Sequence, residues 1–203
     1  MLNTTSTPLI EDRISSQELL RGAFLHAFRD QVRLPDGSTA QREYVVHPGA
    51  VMVIPLLEGT DGSLRVVLER QFRYPVGQTM VELPAGKLDP GESTWACAQR
   101  ELREETGYRA TQWARAGVLH PVIAYSTEFI EVWFAKELQA GSRALDAGEF
   151  LEVFDLPVPD LLQACLDGRV TDAKTLVGVF WLQNYMEGRL ALHWQVAQPG
   201  ASA

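Results

Sequence analysis

Apolar and polar residues alternate through "GAFLHAFRDQVRL" (22–34), pause at the turn cluster "PDGST", and resume through "QREYVV" (41–46). Side chains of a strand point to opposite faces in turn, so this pattern predicts a hairpin. His47-Pro48-Gly49 breaks it. "AVMVIPLLEG" (50–59) and "SLRVVLERQF" (63–72) follow as strands joined by the turn-rich Gly59-Thr60-Asp61-Gly62, and "TMVELPAG" (79–86) adds a shorter one. A mostly antiparallel sheet is expected to this point.

The period then changes. Residues 93–106 predict the clearest helix, with Ser93 as its N-cap and Gly107 as the residue that ends it. Strands are expected at 115–119 and 128–135, then a polar loop "LQAGSRALDAGE" (138–149) and a strand at 150–155. Residues 159–165 and 173–185 carry apolar positions at spacings of three and four and read as two helices. Strands and helices segregated this way define an α+β sandwich. Residues 1–47 are expected to hold a loose polar leader and a small antiparallel sheet, 48–197 the main domain, and 198–203 a frayed tail.

A chain of 203 residues, 46% hydrophobic and 22% charged, has the length and composition of one soluble domain with a small appendage. Its net charge of -8 argues against nucleic acid and anionic membrane, which are held by clustered Lys and Arg. An acidic protein acting on an anionic substrate needs a divalent cation between them. Two cysteines, Cys97 and Cys165, make no disulfide framework, and His26, His47, His120 and His193 show no zinc spacing. No signal peptide or membrane span is legible, so a cytoplasmic protein is expected.

The predicted helix is unusual in its carboxylates. Glu101, Glu104 and Glu105 fall within an arc of about 100°, beside an apolar arc of Trp95, Ala98 and Leu102. Like charges at this spacing destabilise a helix unless something cationic sits among them. An Arg100/Glu104 pair could do that on an ordinary solvated helix, but an oxygen-only set also suits Mg²⁺ or Mn²⁺. The preceding loop, Ala85–Gly91, carries two glycines and a proline that let backbone carbonyls turn toward the same place.

Gly86, Glu92 and then Arg100-Glu101-Leu102-x-Glu104-Glu105-x-Gly107 stand at the spacing of the Nudix box, and here the chain resembles the Nudix hydrolase family. Tyr108 stands where the family usually has an aliphatic residue. The resemblance implies a Nudix-type α/β/α sandwich, with Glu101 and Glu105 as metal ligands, Glu104 as a ligand or a water-mediated one, the Ala85 carbonyl completing the shell, and Arg100 pairing with Glu92. It implies hydrolysis of a nucleoside diphosphate linked to another group, with several Mg²⁺ ions bridging the diphosphate and lowering the pKa of the attacking water.

From Arg42 to Leu182 the chain resembles the ADP-ribose pyrophosphatase branch, in "HPGAVMVIPLL", "RQFRYPVG", "VELPAGK", "GEFLEVFDLP" and "DAKTL". The branch implies a homodimer that splits ADP-ribose into AMP and ribose 5-phosphate. Arg73 and Glu82 would then line the substrate pocket, and Arg42 would be lent to the partner subunit. Glu149 is the expected general base, with Asp146 in reserve and Glu128 a further candidate. Another nucleoside diphosphate sugar, such as GDP-mannose, remains an alternative substrate, and a non-catalytic nucleotide-sugar sensor an alternative class.

Overall fold

The computed structural model describes residues 9–145 and 147–197. The chain divides into two compact units: residues up to His47 together with Val122–Glu128, and Pro48–Pro121 together with the residues from Phe129 onward.

The first unit is built on a three-stranded antiparallel sheet, β1 (Asp12–Arg21), β2 (His26–Arg33) and β3 (Thr39–Val45), in that order. The expected hairpin is present as β2 and β3. Their turn closes with Gly37 in the left-handed region (φ 86°), where a side chain would be strained, and with the Asp36 carboxylate accepting from the Ser38 amide. β1 was not foreseen. All ten of its residues are exposed, so no buried face imposes an alternation that could be read. Segment 122–128 joins this unit through backbone bonds: the Val45 amide donates to the Tyr125 carbonyl, and the Thr127 amide to the Val45 carbonyl.

The second unit contains β4 (Ala50–Glu58), β5 (Leu64–Arg73), β6 (Gln78–Glu82), β7 (Ala85–Lys87), α1 (Thr94–Thr106), β8 (Tyr108–Leu119), β9 (Ile130–Ala140), β10 (Leu151–Pro157), α2 (Val158–Leu166), α3 (Ala173–Met186) and β11 (Gln195–Val196). The main sheet runs β10-β5-β4-β9-β8-β11, with β6 on β5 and β7 on β4. Among the described residues of this sheet only β4 and β9 pair in parallel, and the other neighbours are antiparallel.

The alternation of β4 sorts the core into two layers. Met52, Ile54 and Leu56 pack with Leu161, Val179 and Leu182 of α2 and α3, while Val51 and Val53 pack with Cys97, Ala98 and Leu102 of α1. Each such side chain removed from water contributes about 1.5–3 kcal/mol, so the sheet must be covered on both faces. The result is the expected α+β sandwich of helix, sheet and helix. Gly178 lets α3 lie close on the sheet: a Cβ there would stand 2.5 Å from Leu83 Cδ1.

β8 begins at Tyr108, earlier than position 115, because Gly107 (φ 77°) ends α1 and turns the chain straight into the sheet. Tyr108 itself packs against the layer under α1. Asp146 lies outside the described residues.

Candidate active site

α1 starts where Ser93 Oγ accepts from the Ala96 amide at 3.2 Å, and its buried stripe of Cys97, Ala98 and Leu102 fixes which face meets the sheet. Glu105 follows that stripe inward and is buried; Glu101 and Glu104 lie on the neighbouring, partly covered arc. The loop in front of the helix approaches it closely. A Cβ on Gly86 would lie 1.8 Å from Glu101 Oε1, so no other residue leaves room for that carboxylate. The Ala85 amide donates to Glu105 Oε2 at 3.0 Å, which ties β7 to the helix.

Arg100 serves several acceptors at once. Nε and Nη2 form a fork on Glu92 at 2.9 and 2.8 Å, Nη2 also donates to the Lys87 carbonyl at 3.0 Å, and Nη1 reaches Glu101 at 2.8 Å and Glu104 at 3.2 Å. The Arg100 hydrogen bonds hold the Glu92 carboxyl down at about 2. Arg103 Nη2 adds a bond to Glu104 at 2.9 Å.

Charge around the box is not balanced by this one guanidinium. Burial, against the pull of Arg100, raises Glu101 to about 7. Glu105 is raised well above the usual carboxylate range by burial first, then by the charges of Glu69, Glu101 and Glu149.

β5 supplies the rest. Its residues Val67, Glu69, Gln71 and Arg73 share one face by strand alternation. Glu69 is register partner to Glu82 on β6, which puts their side chains on the same side. Arg73 forks onto Glu82 at 2.7 and 2.8 Å, and Lys174 Nζ bonds Glu82 and also Asp172 Oδ2, the latter at 3.0 Å. Burial works against ionisation of Glu82, yet Arg73 and Lys174 outweigh it and its pKa lies below the usual value. Thr175, fully buried, donates to Asp172 at 2.7 Å and accepts from the Leu83 amide at 2.9 Å, so the start of α3 is pinned to the strand end that carries Glu82.

Gln71 Nε2 donates to Glu149 Oε1 at 3.3 Å, and the charge of Glu149 bears on Glu69, Glu101 and Glu105. Thus Glu149, Glu101, Glu105, Arg73 and Glu82 belong to one electrostatic neighbourhood. Arg42 lies in the first unit and forks onto Glu11 at 2.9 and 2.5 Å. Glu128, in that same unit, stands 3.9 Å from His47.

Sequence reasoning missed Glu69, Gln71 and Lys174. The usable signal was the odd-numbered face of β5, which turns from apolar to polar at Glu69 and stays so through Arg73. Lys174 stands within the quoted "DAKTL", but nothing local pairs it with Glu82.

Among the described residues no three His, Cys, Asp or Glu side chains are gathered round a single point. Glu105 is nonetheless buried and Glu101 largely covered, and both offer hard-oxygen donors beside the close approach of Gly86. Such donors fit Mg²⁺ or Mn²⁺.

The Nudix domain family matches residues 46–176, and the chain belongs to the Nudix hydrolases. The N-terminal domain of nucleoside diphosphate sugar hydrolases matches residues 11–45, which places the chain in that branch of the family. It is 36% identical over 177 residues to the ADP-ribose pyrophosphatase of Bacillus subtilis (strain 168), covering 86% of this chain and 94% of that protein. It is also 36% identical over 177 residues to the methanol dehydrogenase activator of Bacillus methanolicus, covering 85% and 92%. A crystal structure of an ADP compounds hydrolase superposes with a TM-score of 0.78 at 20% identity, over 89% of this chain and 97% of that one, a likeness of fold.

Proposed function

We propose that this chain hydrolyses the diphosphate of ADP-ribose to AMP and ribose 5-phosphate. The observation that carries the reading is the pairing of buried Glu105 with largely covered Glu101 inside a Nudix box, on a chain that spans nearly the whole length of an ADP-ribose pyrophosphatase. The Ala85 carbonyl, Glu101, Glu104 and Glu105 would hold Mg²⁺ or Mn²⁺. When bound, such ions neutralise the diphosphate and lower the pKa of a water.

The protein's own groups do the remaining work. Water oxygen bonds to one phosphorus as the bond from that phosphorus to the bridging oxygen breaks, and the water's proton passes to Glu149, which Gln71 holds in place. Arg73 binds the anionic substrate with one edge while Glu82, itself held by Lys174, accepts from the other, so the guanidinium is oriented before substrate arrives. Arg100 clamps loop to helix through Glu92 and keeps Gly86 against Glu101.

A cytoplasmic homodimer is part of the same reading. The dimer draws support from β1, whose exposed Ile14, Leu19 and Leu20 leave apolar area on the small sheet. No helix of the described residues is long and apolar enough to cross a membrane.

The deciding experiment offers ADP-ribose, GDP-mannose, NADH, ADP-glucose and a diadenosine polyphosphate, each with Mg²⁺ and with EDTA, and resolves products by ion exchange. AMP from ADP-ribose, fastest of the panel and abolished by EDTA, is the expected result. Faster turnover of another compound overturns the substrate, and binding without product moves the chain to the sensors. Sedimentation at micromolar concentration tests the dimer, and a monodisperse monomer removes it.

A further inference from the structure

Glu69 is fully buried, and among the described residues neither of its carboxylate oxygens has a hydrogen-bond partner. Beside it on the same face of β5, Gln71 Oε1 is buried and unpartnered as well. Three acceptor oxygens therefore face one region with no donor supplied. A carboxylate buried without a partner is costly, and a valine on this face of β5, beside Val67, would carry no such cost.

The nearby cations do not fill the gap. Arg73 and Lys174 bear on Glu69 through space, but their hydrogen bonds are spent on Glu82, and Lys174 is further held by Asp172. What remains around Glu69 is acidic: Glu82, Glu149 and Glu105. Glu69 of β5 and Glu105 of α1 are thus two buried carboxylates brought from different elements, and the oxygens of Glu69 take no hydrogen bond from any described residue.

We propose that Glu69, on the same sheet face as its register partner Glu82, takes part in holding a divalent cation together with Glu105 of the box helix. The ligand class is a hard dication, Mg²⁺ or Mn²⁺, because every donor offered is a carboxylate or amide oxygen. The assignment rests on the proposed metal-dependent function and extends it, adding to the box a carboxylate from a strand more than thirty residues earlier. Glu69 would thus set how tightly the site takes its metal.

The test is Mn²⁺ binding to the metal-free full chain, followed by electron paramagnetic resonance, for wild type, Glu69→Gln and, should the first variant fold poorly, Glu69→Val. Glu69→Gln should bind Mn²⁺ at least about tenfold more weakly or bind one ion fewer, in line with the loss of a supporting ligand. Its melting temperature without metal should stay close to that of wild type, since a buried carboxyl without partners is exchanged for an amide of the same shape, while the gain in melting temperature on adding Mn²⁺ should shrink. Equal Mn²⁺ affinity and stoichiometry in folded Glu69→Gln overturns the assignment and leaves the proposed function standing. Mn²⁺ binding by neither protein overturns both.

Discussion

Glu69 and Glu82 face each other as register partners across β5 and β6, yet Glu82 is gripped by Arg73 and Lys174 while neither oxygen of Glu69 has a hydrogen-bond partner among the described residues. Two identical side chains on one face of one sheet are thus placed in opposite electrostatic situations. The difference comes from α3, whose first turn delivers Lys174 to one of them and not to the other.

Lys174 should therefore matter for stability out of proportion to its place at a helix start. Its ammonium is largely covered and bridges Glu82 to Asp172, the N-cap of α3. Lys174→Met leaves Glu82 with Arg73 alone and should lower unfolding free energy by about 2 kcal/mol, as loss of one charged hydrogen bond at a buried carboxylate does. Urea unfolding measures this. The double variant with Glu82→Gln should be less destabilised than the sum of the two singles; simple additivity would show that the pair is not coupled.

The clasp between Glu92 and Arg100 gives a pH dependence with a definite sign. The folded-state value of Glu92, about 2, lies below its ordinary 4.5, so its contribution is fully present above the ordinary value and is lost as pH falls toward 2. Glu92→Gln should be less stable than wild type by about 1–3 kcal/mol at neutral pH. The gap should narrow between pH 4.5 and pH 3. A gap that stays constant over that range would show that Arg100 does not hold the carboxylate in its ionised form.

Much of this architecture is legible along the chain because one buried face leaves an alternating trace. The pattern of β4 yields both core layers, and Ser93 and Gly107 mark α1 to the residue, since each performs a local backbone task. β1 leaves no trace because it buries nothing. Glu69 is hidden for a different reason. In "VVLERQF" a glutamate reads as the polar phase of a strand, and its burial arises from β6 and from Lys174, a residue 92 positions beyond Glu82. Side-chain pairings across such separations are tertiary facts with no local signature.

Gly86 should tolerate no side chain. Its backbone is strand-like rather than left-handed, so alanine is conformationally acceptable, but the new Cβ would lie 1.8 Å from Glu101 Oε1 and must displace the carboxylate. Gly86→Ala is expected to fold with a near-normal melting temperature, to bind Mn²⁺ at least about tenfold more weakly, and to lose activity to match. Normal Mn²⁺ affinity would mean that Glu101 is not needed where Gly86 allows it to stand.

Glu105 and Glu149 sit in the same electrostatic neighbourhood but should fail differently when neutralised. Glu105 is buried and bonded to the Ala85 amide, a position suited to holding a cation; Glu105→Gln should lower turnover at least about a hundredfold together with metal affinity, and should not lower stability without metal. Glu149 is only partly buried and is oriented by Gln71, a position suited to receiving a proton. Glu149→Gln should lower kcat by about 10²–10⁴-fold while Mn²⁺ affinity stays near that of wild type. Measuring kcat and Mn²⁺ binding side by side separates the roles. If Glu149→Gln loses metal as Glu105→Gln does, Glu149 is a ligand and the base must be sought elsewhere; if both retain metal, the carboxylate pair does not hold it.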